Sequence, residues 1–242
     1  MASKIKGTSP GQFRATRPKG GDNLLSLVDA PERSPVATRK AAVFLDRDGV
    51  VIEEVDYLSR PEQLKLIPGA ARAIARLRKA GLKVVVITNQ SGVARGYLTL
   101  KTLREVHALL RRRLAAQGAA LDGLYFCPHL PARAGGKGCD CRKPGLSLLK
   151  RAQARFHLDF SRSYFVGDST TDVLTAKRAG CTAVLVRTGK AGRDGVYRVQ
   201  PHRVCRNLPA AADWIIGAGS RTPALRRQAD GRRRHVQGLP GP

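Results

Sequence analysis

From residue 41 onward, short apolar runs alternate with stretches whose apolar positions recur every three or four residues. Ala41-Ala42-Val43-Phe44-Leu45 reads as a strand buried on both faces. Residues 69–80 follow with Ala70, Ala73, Ile74 and Leu77 on one helical face, and Gly81 ends that helix. Residues 82–88 form the next apolar run. A longer helix is predicted over 99–117, with Leu100, Leu103, Val106, Leu110 and Leu114 inward. The series continues with a strand at 121–126, a helix at 146–157, a strand at 164–166, a helix at 171–179 and a strand at 183–186. A last helix near 209–216 carries Trp214. This alternation predicts an α/β, Rossmann-like parallel sheet with helices on both faces. In such sheets ligands bind beyond the carboxyl ends of the strands.

The ends of the chain lack this periodicity. Residues 1–40 and 218–242 are rich in small, turn-forming and basic residues and read as disordered extensions, leaving one domain over 41–217. Lys and Arg outnumber Asp and Glu by 44 to 18, a net charge of +26. The excess is spread along the chain: 41–217 alone holds 30 basic and 14 acidic side chains. The charge predicts an anionic partner: a phosphorylated small molecule, nucleic acid or an anionic membrane surface. No run of 18 apolar residues exists, so no membrane span is expected, and no apolar segment follows the first lysines as in a secretory signal. The expectation is a cytoplasmic monomer.

The residues just after the apolar runs carry the chemistry. After the first stands Asp46-Arg47-Asp48-Gly49, and after the second Thr88-Asn89-Gln90-Ser91-Gly92. Asp168 follows the fourth, with Asp172 four residues on. A single Asp at such a position could be a helix N-cap. Two Asp spaced by one residue directly after a strand are not explained that way. Phosphoryl transfer would use them. One carboxylate attacks phosphorus, and a second, two residues on, protonates the leaving oxygen and then activates water. A divalent cation, Mg²⁺, must offset the repulsion between carboxylates and phosphate. Asp168 is placed to complete its site. Thr88 and neighbouring amides could bind phosphoryl oxygens, and Lys143 in Cys-Arg-Lys-Pro is the candidate cation for the transferred group.

Asp46-Arg47-Asp48-Gly49-Val50-Val51, Thr88-Asn89-Gln90-Ser91-Gly92, Arg142-Lys143-Pro144 and Gly167-Asp168-Ser169-Thr170-Thr171-Asp172 resemble, in order, the four motifs of the haloacid dehalogenase superfamily. Within it the chain resembles the group of histidinol-phosphate and heptose-bisphosphate phosphatases over about 41–217. The resemblance implies Asp46 as nucleophile and metal ligand, and Asp48 as acid/base with a metal-bound backbone carbonyl. Thr88 and Lys143 would hold the phosphoryl group, and Asp168 would be the third metal-binding residue. Asp172 is assigned to support of its loop.

Cys127-Pro128-His129 and Cys139-Asp140-Cys141 bracket a nine-residue loop, 130–138, with little apolar content. Three thiolates and one imidazole make a complete tetrahedral set, which predicts a structural Zn²⁺ stapling the loop; the plainer alternative is free thiols. Cys181 and Cys205 sit in apolar contexts and are expected in the core. His107 and His157 have no ligand-spaced partners and are expected to be structural. The same Cys-X-His…Cys-X-Cys pattern occurs in the resembled group.

Only 39 residues separate Asp48 from Thr88, which leaves no room for a large cap domain. Specificity then falls to the segment 53–58, the zinc loop and their neighbours, with Glu54, Tyr57, Asn89, Gln90, Ser91 and Arg142 as candidate substrate-binding residues. Arg142 suits a second anionic group, as a bisphosphorylated sugar would supply, unless it only pairs with Glu53, Glu54 or Asp56. The resemblance points best to a heptose bisphosphate. Histidinol phosphate, a nucleic-acid 3′-phosphate and plain nucleic-acid binding are the alternatives.

Overall fold

The computed structural model describes residues 39–132 and 138–221, with side chains described to residue 218. The expected extensions lie almost wholly outside these residues. Lys40 already exchanges backbone bonds with His157 and Asp159, both at 2.9 Å. The last helix runs past 217 to Arg221.

Six parallel strands form one sheet: β1 (Ala42–Leu45), β2 (Lys83–Asn89), β3 (Gly123–Cys127), β4 (Tyr164–Gly167), β5 (Thr182–Val186) and β6 (Arg203–Cys205), in the order β3-β2-β1-β4-β5-β6. Five helices connect them: α1 (Ala70–Lys79), α2 (Leu100–Ala115), α3 (Ser147–Phe156), α4 (Thr170–Ala179) and α5 (Leu208–Arg221). Successive side chains of a strand point to opposite faces, and the core divides accordingly. Val43 and Leu45, with Val84, Val86, Val166 and Val184, pack under α1, α2 and α5. Ala42 and Phe44, with Val85, Ile87, Phe165 and Ala183, pack under α3 and α4. Strands wrapped on both faces must be apolar throughout, hence the continuous runs in the sequence.

One local expectation is corrected. Leu100 is 40% exposed, because it is the first residue of α2, one turn short of the stripe that Leu103 begins. Thr99 caps that helix, accepting from the Thr102 amide at 3.0 Å. The short edge strand β6 was not anticipated. Of its three residues only Cys205 is buried, so it carries no apolar run. Cys181 and Cys205 are both buried, as expected.

Strand order reverses at β1, which lies between β2 and β4. A crevice opens there beyond the carboxyl ends. It holds a cavity of about 260 Å³, lined by residues from the turns after β1, β2, β4 and β5 and by Arg142 and Lys143.

Candidate active site

The chain turns sharply after β1. The Asp46 amide donates to Val166 O at 3.0 Å, tying the turn to β4, while the Arg47 amide donates to Asp46 Oδ1 at 2.7 Å. Gly49 has φ 70°, and a Cβ there would sit 2.4 Å from Asp168 Oδ2. The backbone of this turn therefore presses against the carboxylate that follows β4.

Lys143 is buried, and its ammonium bridges two carboxylates: Asp46 Oδ1 at 2.8 Å and Asp172 Oδ1 at 2.7 Å. Burial alone would lower its pKa, but the charges of Asp172 and Asp46 outweigh that and hold it above the usual lysine range. Its backbone is clamped as well. Asn89 Oδ1 accepts from the Lys143 amide at 3.0 Å, and Asn89 Nδ2 donates to Lys143 O at 3.2 Å. Asp172 also accepts at Oδ2 from the Ser169 amide and hydroxyl, closing a capping box at the start of α4.

Asp46, Asp168 and Asp172 each bring a carboxylate oxygen to within 4.8 Å of the others. One ammonium among three crowded carboxylates leaves excess negative charge. Burial, with repulsion from Asp172 and Asp48 and despite Lys143, raises Asp46 to about 7. Burial, then Asp46 and Asp172, raise Asp168 to about 8. Carboxyls this reluctant to ionise are the donor set a hard divalent cation relieves, so the residues fit Mg²⁺.

Asp48 is held differently. Arg47, 1% exposed, folds its guanidinium back onto it, with Nη2 at 2.8 Å from Oδ1 and 2.9 Å from Oδ2. Gln90 Nε2 donates to Asp48 Oδ2 at 2.8 Å and to Thr88 Oγ1 at 2.9 Å, and Gln90 Oε1 accepts from Arg47 Nη2 at 2.9 Å.

A wall not foreseen from the sequence follows β5. Thr188 Oγ1 donates to Gly49 O at 2.6 Å, and the Lys190 amide donates to Asp168 Oδ2 at 2.6 Å. Gly189 lies between them with φ 60°; a Cβ there would meet Asp168 Oδ2 at 2.3 Å and the Gly49 α-carbon at 2.7 Å. Only glycine fits. Gly189→Ala is expected to displace Asp168 and raise the Mg²⁺ concentration for half-maximal activity about tenfold or more; an unchanged metal titration would refute this reading of the strap. Lys190, Asp194 and Val196 continue the wall. Asp194 accepts from the Thr170 amide and hydroxyl, both at 2.7 Å. The available signal was Arg187-Thr188-Gly189-Lys190 at a strand end, the position already informative elsewhere.

The sequence-predicted residues are thus largely brought together, with changes of role. Asp46, Asp48, Lys143 and Asp168 converge on the cavity, and Glu54, Tyr57, Asn89, Gln90, Ser91 and Arg142 line it. Thr88 does not line it. It is fully buried behind Gln90, because β2 runs one residue further than expected. The side-chain amide of Asn89 meets the Lys143 backbone, and that of Gln90 meets Asp48, Thr88 and Arg47. Arg142 pairs with none of Glu53, Glu54 or Asp56; Nη1 donates to His129 O at 3.1 Å. Tyr57 packs edge-on against Tyr97, ring centres 4.7 Å apart, at the rim. Burial, then the Asp48 charge, raise the Glu54 pKa.

The cysteine cluster forms beside this rim. Cys141 Sγ lies 3.2 Å from Cys127 Sγ and 3.3 Å from Cys139 Sγ, and His129 Nδ1 lies 3.2 Å from Cys141 Sγ and 3.6 Å from Cys127 Sγ. Four soft donors converging on one point fit a tetrahedral Zn²⁺. Residues 133–137 of the loop between them lie outside the described residues.

A parallel sheet with a carboxylate-bearing turn at its switch point, a buried lysine and a carboxylate cluster is an arrangement suited to phosphoryl transfer. The profile of haloacid dehalogenase-like hydrolases matches residues 43–107, and a HAD-hydrolase-like profile matches 140–211. The chain belongs to the phosphatases of the haloacid dehalogenase-like hydrolases. It is similar to the D-glycero-D-manno-heptose-1,7-bisphosphate 7-phosphatase of Thermosynechococcus vestitus, 44% identical over 73% of this chain and 95% of that one. The Escherichia coli K12 D-glycero-β-D-manno-heptose-1,7-bisphosphate 7-phosphatase is 35% identical over 77% and 94%. Among solved structures, the D,D-heptose 1,7-bisphosphate phosphatase from B. bronchiseptica, complexed with magnesium and phosphate, superposes with a TM-score of 0.67. It is 36% identical, covering 74% of this chain and 99% of that one. No helix among the described residues is long and apolar enough to cross a membrane.

Proposed function

We propose that the chain removes the 7-phosphate of D-glycero-D-manno-heptose 1,7-bisphosphate through an aspartyl-phosphate on Asp46, with Mg²⁺ as cofactor. The observation that carries the mechanism is Lys143 bridging Asp46 and Asp172 beside Asp168. The relatives' names support the substrate.

In this reading the Asp46 carboxylate attacks phosphorus, the bond from phosphorus to the ester oxygen breaks, and Asp48 gives that oxygen its proton. Asp48 then takes a proton from water, whose oxygen attacks phosphorus and releases phosphate and free Asp46. Mg²⁺ held by Asp46, Asp168 and the Asp48 carbonyl would offset the charge between carboxylates and phosphoryl group. Lys143 neutralises the transferred group, and Asn89 fixes Lys143 against it. Arg142 and Lys190, both in the cavity lining, suit the second phosphate. A phosphate-release screen over heptose bisphosphate, histidinol phosphate, fructose 1,6-bisphosphate and a 3′-phosphorylated oligonucleotide tests this. Preference for histidinol phosphate would move the assignment to the acidic lid of Glu54 and Asp56.

The raised carboxyls predict a pH dependence. Asp46 and Asp168 have folded pKa values of about 7 and 8 against an ordinary 3.8. The folded, Mg²⁺-free state therefore holds protons that the unfolded chain has released. The stability cost of these two carboxyls is absent below about pH 4 and grows as pH rises towards 8. Mg²⁺ should raise the melting temperature more at pH 8 than at pH 5.5. An equal gain at both would count against these carboxylates as its ligands.

Zinc is proposed to hold the 127–141 segment. Metal analysis of freshly reduced protein is expected to find one zinc per chain, and none would remove the assignment. Cys139→Ser should raise KM more than it lowers the melting temperature, because the cluster supports Arg142 and the rim while the sheet has its own core.

A further inference from the structure

The transfer chemistry makes no use of Arg47 or His107, yet Arg47 heads the fully buried side chains by volume. Its guanidinium spans two elements distant in sequence. At one end Nε and Nη2 hold Asp48 Oδ1, at 3.2 and 2.8 Å, and Nη2 also reaches Oδ2 at 2.9 Å. At the other end Nη1 lies 3.2 Å from Nε2 of His107, on α2. A guanidinium has donors only, so Nε2 must be the unprotonated nitrogen and accept. Burial, then the adjacent Arg47 charge, push the His107 pKa down to about 3, so the ring stays a neutral acceptor. It is fixed from the other side by Phe126 of β3, ring centres 5.4 Å apart.

A planar fork held at one end cannot swing, so the donors it offers at the other end keep their direction. Gln90 Nε2 meets Asp48 Oδ2 at 2.8 Å as a further donor. We propose that His107 is a positioning residue for the acid/base Asp48, acting through Arg47. The inference rests on the phosphatase reading and deepens it: α2, behind the sheet edge, sets where the proton-transferring carboxylate stands. Leucine at 107 would leave Nη1 buried without an acceptor and free the fork to follow other partners, Asp48 moving with it.

The test exploits the leaving group. An alkyl phosphate needs a proton on its departing oxygen, whereas p-nitrophenyl phosphate does not. kcat/KM reports the steps through ester cleavage, so it isolates this requirement. For His107→Leu, kcat/KM on heptose bisphosphate and fructose 1,6-bisphosphate is expected to fall about tenfold or more, within the range general acid catalysis contributes. On p-nitrophenyl phosphate it should change less than about threefold. His107→Gln, whose amide oxygen can accept from Arg47, should recover most of the loss. Equal losses on alkyl and aryl substrates, or no loss, would overturn the inference, since a merely loosened site slows both. Should His107→Leu fail to fold, Arg47→Lys gives the same reading, because an ammonium cannot span His107 and Asp48 together. Selective loss supports the proposal, and unselective loss ends it. Wild-type protein that hydrolyses none of these esters would overturn the phosphatase reading, and this inference with it.

Discussion

Asp46→Asn is expected to give a folded protein whose hydrolysis of any phosphomonoester is lower by about four powers of ten or more. The amide is nearly isosteric. Its oxygen can still accept from the Arg47 amide and the Lys143 ammonium, which now meet Asp46 Oδ1 at 2.7 and 2.8 Å. Lys143 keeps its second carboxylate in Asp172. The fold has little reason to fail, and it loses a carboxyl that burial already makes costly to ionise. What the amide cannot do is attack phosphorus, and it is a poor ligand for a hard cation. The measurement is single-turnover hydrolysis beside a thermal melt. Turnover within about tenfold of wild type would end the covalent mechanism, whatever the substrate.

Lys143→Met should damage turnover less than Asp46→Asn does, and stability far more. Methionine matches the length of the lysine stem but leaves Asp46, Asp168 and Asp172 with no fixed positive charge among them. Removing one partner of a buried ion pair typically costs about 3–5 kcal/mol, and here one ammonium serves two carboxylates. Without it the phosphoryl charge is met by one cation fewer, an electrostatic loss worth about 10²–10³ in kcat. Urea denaturation of the Mg²⁺-free variant should show the large destabilisation, and Mg²⁺ should return part of it. A variant as stable as wild type without Mg²⁺ would mean that Lys143 does not carry the charge balance assigned to it.

Much of this was legible from where apolar runs stop. Strands wrapped on both faces leave no polar position inside, so Asp46, Asp48 and Asp168 stood out at their ends. The cysteine set was legible for a similar reason, since four soft ligands in fifteen residues have few other uses. Roles that depend on which way a side chain turns were not legible. Asn89 and Gln90 look like substrate contacts in a strand-end motif, yet their amides face Lys143 and Asp48. No pattern in the sequence marks Arg47 for burial, and the fold encloses it against His107. The 188–196 wall was missed because its contribution is backbone geometry, Gly189 against Asp168, which no hydrophobic pattern encodes. Leu100 and β6 show the same limit at element ends, where periodicity has too few residues to speak.

The central strand gives this architecture a temporal consequence. β1 lies between β2, about 40 residues on, and β4, anchored by the Ala42 amide on Ser163 Oγ across 121 positions. No cleft exists until that long closure is made, and closures of such separation are slow steps of folding. A chain emerging during synthesis already carries both aspartates of its first turn long before β4 is available. It is therefore inert as a catalyst until β4 docks. After dilution from denaturant, recovered hydrolysis should lag behind recovered helix signal, and the length of that lag measures how long the sheet waits for its middle pair.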